Sequence, residues 1–248
     1  MNRRKALALG GGVVGAAGLG AAAIAGTAEA SSNPALANVC ELTTELTEGP
    51  YYVDLNMVRQ DITEGKTAAP LQLKISVVET GACGAVPDAA VELWHNDYWG
   101  YYSSFTDHHP GGSVPPPDNV GDPNTFLRGI QLTGADGYCE FTTLLPGWYI
   151  GRCTHIHVKV HLGGTVDGDV YEGGQTVHTG QLFFDDEIAF GVDNLSPYNR
   201  HVGDHITLNE DTIYQGNGVK DGLLALTAND PNDPLAGYVG EITLGIRS

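Results

Sequence analysis

No stretch of this chain carries the periodicity of a long amphipathic helix. Its apolar residues come in short alternating runs cut by turn residues, and that pattern restricts the chain to a β fold. The most informative run closes the segment Pro146-Gly147-Trp148-Tyr149-Ile150-Gly151-Arg152-Cys153-Thr154-His155-Ile156-His157-Val158-Lys159-Val160. Strand alternation there puts His155 and His157 on one face. Two imidazoles at i and i+2 on a strand can bind one metal ion. Tyr149 and Arg152 stand just upstream and can converge on that ion across a turn. A phenolate ligand favours a hard, highly charged metal such as Fe(III).

The other runs fit the same architecture. Leu71 to Val77 alternates cleanly, and Ala89 to Trp94 reads as a second strand. Ile130 to Leu132 and Tyr138 to Thr143 flank Gly134-Ala135-Asp136-Gly137, a hairpin signal. His155 to Leu162, Gln181 to Phe184, Leu223 to Leu226 and Tyr238 to Ile246 complete the set. The fold class expected is all-β: an antiparallel β-sandwich with long loops. Residues 106–125, with Pro115-Pro116-Pro117, form one long loop, and Gly163 to Gly180 a second one after the metal strand. Asp185 to Val192 reads as a short helix.

Residues 1–30 are read as an export signal rather than as structure. Arg3-Arg4-Lys5 precedes a Gly/Ala-rich apolar run, and Ala28-Glu29-Ala30 offers an A-x-A cleavage site before Ser31. Paired arginines before a weakly hydrophobic run point to the twin-arginine route, which exports folded protein and so suits a chain that acquires its metal in the cytoplasm. No membrane span is expected after cleavage, and the localisation expected is extracellular. Residues 31–70 then form an N-terminal arm and 71–248 the sandwich domain. The whole chain has 12 basic and 30 acidic residues, a net charge of −18. That balance argues against nucleic acid and anionic membranes as partners. Homo-oligomerisation stays open. Cys40, Cys83, Cys139 and Cys153 allow up to two disulfides in an exported chain, with Cys153 alternatively a free thiol near the metal.

Pattern alone does not choose among Tyr98, Tyr101 and Tyr102 as a further ligand. Two other classes compete with a ferric centre. One is a copper or zinc site that uses His155, His157 and a third histidine from His95, His178 or His201. The other is a non-catalytic sandwich module binding carbohydrate or aromatics on Tyr and Trp platforms.

Several ordered motifs decide between them. T-E-G-P-Y-Y (47–52), W-H-N-D-x-x-G-x-Y-S (94–103), F-L-R-G-I-Q-L-T (126–133), D-G-Y-C-E-F-T-T-L-L-P-G-W-Y (136–149), R-C-T-H-I-H-V-K-V (152–160) and H-T-G-Q-L-F-F-D-D (178–186) resemble the intradiol ring-cleavage dioxygenase family. The likeness is greatest to exported, single-domain members similar to the catalytic core of protocatechuate 3,4-dioxygenase. It implies a transthyretin/immunoglobulin-like sandwich and one non-haem Fe(III) held by Tyr102, Tyr149, His155 and His157. It also implies that Tyr149 leaves the iron when substrate binds, that Arg152 stabilises charge on the activated ring, and that Gln181 lines the site. Tyr51 corresponds to a substrate-side contact. The partners implied are a catechol-type substrate and O2, and the product is a cis,cis-muconate-type diacid. Tyr98 and Trp99 are bulkier than the family pattern leads one to expect, which bears on substrate size.

Overall fold

The computed structural model describes residues 41–108, 122–200, 203–216 and 221–247. The expected signal, the start of the arm, Cys40, His201 and the middle of the 106–125 loop lie outside these residues. Among the described residues eight strands are formed: β1 Pro70–Glu79, β2 Ala90–Trp94, β3 Arg128–Leu132, β4 Tyr138–Leu144, β5 His155–Asp167, β6 Val170–Phe183, β7 Ala225–Ala228 and β8 Tyr238–Ile246. They make two four-stranded sheets, β4-β1-β8-β7 and β3-β2-β5-β6. The pairings between these eight strands are antiparallel except β1 with β8, which run parallel from Leu71/Tyr238 to Glu79/Ile246. Among the described residues no helix is long and apolar enough to cross a membrane.

The core between the sheets follows from the alternation. Leu71, Leu73, Ile75 and Val77 of β1 point inward, against Ile156, Val158 and Val160 of β5, with Leu93, Phe141, Leu182 and Leu244 between them. Each such fully buried side chain contributes about 1.5–3 kcal/mol. The opposite face of β5 carries His155, His157, Lys159 and His161, and these are buried as well. They are covered by the N-terminal arm, which bridges to the sheets at Met57/Val170, Val58/Ile130 and Asp61/Thr142. The sheet that bears the histidines is therefore covered on both faces, and its outer layer is polar and aromatic.

Two expectations are corrected. The stretch Gly163 to Gly180 is mostly strand, because β5 and β6 form one long hairpin. Its glycines read as breakers, yet Gly164 lies where a Cβ would meet the Tyr171 ring, and Gly168 supplies the positive φ of the turn. The seventh strand starts at Ala225, two residues later than expected, since Leu223 only bridges to Phe183. The expected short helix is present as α1, Asp186–Gly191, capped by the Asp185 side chain on the Glu187 N–H. Cys83 is disulfide-bonded, whereas Cys139 and Cys153 are buried free thiols, so two disulfides within the chain do not form.

Candidate metal centre

Register sets the floor of the site. His157 of β5 stands between Trp94 of β2 and Gln181 of β6, and His155 stands opposite Phe183. Trp94 stacks on the His157 ring at 4.9 Å and 10°. Upstream, the chain turns at Tyr149 to Arg152, where the Arg152 N–H donates to the Tyr149 carbonyl at 3.1 Å. Gly151 holds φ +86° there, a conformation that suits the third position of such a turn. The turn brings Tyr149 and Arg152 to the histidine face. Gly147 seats it against the next wall, since a Cβ there would lie 2.7 Å from the Tyr98 backbone.

Tyr102 reaches the site from the segment after β2. Asp97 organises that segment by accepting from the Trp99 and Tyr101 N–H groups and from Lys66. Tyr102 is fully buried and Tyr149 is 8% exposed. The bulk of Trp99 is used elsewhere: its indole donates to the Pro197 carbonyl at 2.9 Å, and the Arg200 guanidinium lies 5.0 Å from its ring. Tyr98 packs against the edge of the core.

The ligand-type atoms converge. The Tyr102 hydroxyl is 3.4 Å from His155 Nε2, the Tyr149 hydroxyl 3.3 Å, and His157 Nε2 3.2 Å. Arg152 Nη1 stands 3.3 Å from the same atom. His155 Nδ1 lies 2.7 Å from the Cys153 carbonyl, which only accepts, so Nδ1 carries the proton and Nε2 presents a lone pair. One lone pair cannot satisfy two hydroxyls, a guanidinium and a second imidazole nitrogen. Donors about 2.0–2.1 Å from a tetrahedrally bound ion lie roughly 3.3 Å from one another. The spacing and the donor types, two phenols and two imidazoles, therefore fit a single hard cation.

Electrostatics agree. Burial, and then the Arg152 charge, hold His155 far below the usual histidine range. Burial and the neighbouring His155 do the same for His157, so both are neutral. Burial, and for Tyr102 also the neighbouring Tyr149, holds both phenols above the ordinary tyrosine range, and the Arg152 charge offsets this only in part.

The remaining residues singled out in the sequence come together here. Gln181 accepts from Arg152 Nη2 through Oε1 and donates to the Thr47 carbonyl at 3.0 Å. Tyr51 stacks on Tyr102 at 4.7 Å and 8°, with its edge near Phe105. Of the alternative histidines, His95 has both ring nitrogens engaged, by the Asn96 carbonyl and Thr143 Oγ1. His178 packs over Gly180, on the face of β6 away from Gln181.

Several positions carry weight that the sequence did not reveal. Asp211 is fully buried and binds Arg152 Nε at 2.8 Å, across 59 residues of sequence. Arg128 donates to the Tyr51 and Ser103 carbonyls and to Ser103 Oγ, which ties the arm to the Tyr102 segment. Lys159 pairs with Glu48 at 2.6 Å and lies 3.4 Å from the Tyr52 ring centroid. Arg128 sits in the F-L-R-G motif, a visible signal without a role attached, whereas Asp211 has no spacing signal at all.

No family model matches the sequence. The catechol 1,2-dioxygenase 1 of Acinetobacter lwoffii is 38% identical over 114 residues, 43% of this chain. That match spans about a third of the curated relative's length, 32%. The structure of the dioxygenase domain of a carbohydrate-binding fusion protein from Streptomyces sp. SirexAA-E shares the fold, with a TM-score of 0.54, 24% identity, and coverage of 84% of this chain and 99% of that one. An intradiol ring-cleavage dioxygenase from Tetranychus urticae matches with a TM-score of 0.69 and 31% identity, over 84% of this chain and 95% of that one. With identity at that level sustained over nearly the whole of a solved relative, this chain belongs to the intradiol ring-cleavage dioxygenase family.

Proposed function

We propose that the chain is a non-haem Fe(III) enzyme that cleaves a catechol with O2 between its two hydroxylated carbons and releases a cis,cis-muconate-type diacid. The observation that carries this reading is the convergence of the Tyr102 and Tyr149 hydroxyls and His157 Nε2 on His155 Nε2, at 3.2–3.4 Å. The naming of a partial relative as a catechol 1,2-dioxygenase supports the substrate class.

Tyr102, Tyr149, His155 and His157 would hold the iron. Bound there, Fe(III) supplies a charge that favours the deprotonated form of an oxygen ligand such as catecholate. Tyr149 stands on a turn and is the more exposed of the two phenols, so its Oη is the one suited to swing away and accept a catechol proton. Arg152 directs Nη1 at the cluster and stabilises the negative charge that develops on the ring and its oxygens. Gln181 holds the guanidinium fork from the far side. Tyr51, lying over Tyr102, would form a substrate-side wall. Both oxygen atoms of O2 end in the diacid, so no external reductant is needed.

The domain and address readings complete the proposal: residues 1–30 as a twin-arginine-type signal, 31–70 as an arm and 71–248 as the catalytic sandwich of a secreted protein. Protein recovered from culture medium should begin at Ser31, and a medium fraction that retains Met1 would reject the cleavage.

The deciding experiment for function is the visible spectrum of the iron-reconstituted protein, followed by anaerobic addition of catechol. A broad tyrosinate-to-iron band that shifts with catechol is the expected result. A colourless, iron-free protein after reconstitution overturns the reading.

A further inference from the structure

Arg152 is held by more than Gln181. Asp211 lies on the segment leading into the short helix α2, Thr212–Gly216, and is completely buried. Its Oδ1 accepts from the Ile213 and Tyr214 N–H groups at 2.8 and 3.1 Å. Its Oδ2 accepts from Arg152 Nε at 2.8 Å and from the Cys153 N–H at 2.9 Å. One carboxylate thus closes the start of α2 and fixes both the side chain of Arg152 and the backbone just after it. With Nε taken by Asp211 and Nη2 by Gln181, Nη1 is the nitrogen left at 3.3 Å from His155 Nε2. The hydrogen bonds run on from Gln181 Nε2 to the Thr47 carbonyl. A chain of contacts therefore crosses the site from the α2 segment, through the turn before β5 and through β6, to the N-terminal arm.

We infer that Asp211 is the positioning residue for Arg152: it clamps Nε so that the guanidinium presents Nη1 to the ligand cluster, and it thereby sets the turnover rate without touching substrate. The inference rests on the proposed role of Arg152. It separates two jobs of one side chain. Capping α2 needs only an acceptor, which asparagine supplies as well as aspartate does. Clamping Arg152 Nε and the Cys153 N–H needs acceptors on the other side, where asparagine would present an NH2 donor to two donors. Charge-assisted hydrogen bonds of this kind are about twice as strong as neutral ones.

The test is a double-mutant cycle on the iron-loaded protein, Asp211→Asn, Arg152→Ala and the pair, with kcat, KM and anaerobic catechol affinity measured for each. Asp211→Asn is expected to lower kcat by about tenfold, with catechol affinity within roughly a factor of two and iron retained. In the Arg152→Ala background the same change should cost less than about twofold, because the residue it positions is gone. An equal loss in both backgrounds would mark Asp211 as merely structural and overturn the inference, as would native turnover in Asp211→Asn. If Asp211→Asn does not fold, Arg152→Lys serves instead: it keeps the cation and the buried carboxylate but lacks the fork, and turnover equal to the native protein overturns the clamp. Undiminished turnover in Arg152→Ala sinks the role of Arg152 itself, an outcome distinct from a slow Arg152→Ala beside a fully active Asp211→Asn.

Discussion

Replacing Gly49 with alanine probes the wall that the arm builds against the proposed ligands. Gly49 holds φ +75°, and a Cβ there would lie 3.3 Å from His157 Cε1. The left-handed backbone alone costs an alanine about 1–2 kcal/mol, offset by roughly 0.4–1 kcal/mol from the stiffer unfolded chain. The net loss is then about 1 kcal/mol. Gly65 supplies the control: its φ is +77°, and nothing lies within 4 Å of its virtual Cβ. The backbone contribution is therefore the same at both sites, and only Gly49 adds a contact. The His157 ring cannot retreat freely, because Trp94 is stacked against it at 4.9 Å. A displacement of a few tenths of an ångström must appear at the ring or in the loop. Disturbing the surroundings of a metal ligand typically costs 10–100-fold in affinity. Urea unfolding of both metal-free variants should give similar losses near 1 kcal/mol. Competition for Fe(III) against nitrilotriacetate should leave Gly65→Ala at native affinity and weaken Gly49→Ala about tenfold. Identical iron affinities and visible spectra for the two variants would falsify the assignment of His157 as a ligand covered by this loop.

Further outcomes are expected. Tyr102→Phe keeps the stack on Tyr51 and so barely changes metal-free stability, but it should weaken and shift the visible band, leaving the Tyr149 contribution; an unaltered band removes Tyr102 from the ligand set. Arg152→Ala should retain iron and slow turnover by about 10²-fold or more, checked by iron content beside steady-state rates. Stripping the iron should lower stability by about 4 kcal/mol when the ion is present at some thousand times its Kd, and a thermal midpoint unchanged by chelation would contradict a bound ion. His95 is held down to about 4, mainly by burial, against about 6.5 when unfolded. The folded state then binds fewer protons, so its contribution is fully present above about pH 6.5 and fades as pH falls towards 4, by about 3 kcal/mol in all. Urea midpoints at pH 7.5 and 4.5 should converge for His95→Gln more than for the native chain, and equal pH slopes would refute the point.

Much of the fold was legible because strand alternation is local. Leu71 to Val77 and His155 to Val160 show their buried and site faces directly in the sequence. The β5–β6 hairpin was hidden because Gly164 and Gly174 read as breakers, while their real use is to admit the Tyr171 ring. The parallel β1–β8 pair joins segments far apart in the chain, which no local pattern reports. The site divides the same way. Tyr149, Arg152, His155 and His157 lie within one turn and strand and were readable together. Tyr102 needed the family motif to be told from Tyr98 and Tyr101. Asp211 and Arg128 act through contacts that span 59 and 77 residues and carry no spacing signature.

The proposed ligands and the proposed substrate wall are carried by different parts of the chain. All four proposed ligand side chains belong to the sandwich and its turns, whereas the wall over them, Thr47 to Tyr52, belongs to the arm. That wall is fastened to the sandwich at discrete points: the Thr47 carbonyl by Gln181, Glu48 by Lys159, the Tyr51 carbonyl by Arg128 and the Tyr52 hydroxyl by Glu92. Two of those fastenings grip backbone carbonyls and are indifferent to the side chain above them. On the proposed function, the arm is thus a replaceable cover: residues such as Tyr51 can be exchanged to admit other ring substituents without altering the four side chains beneath.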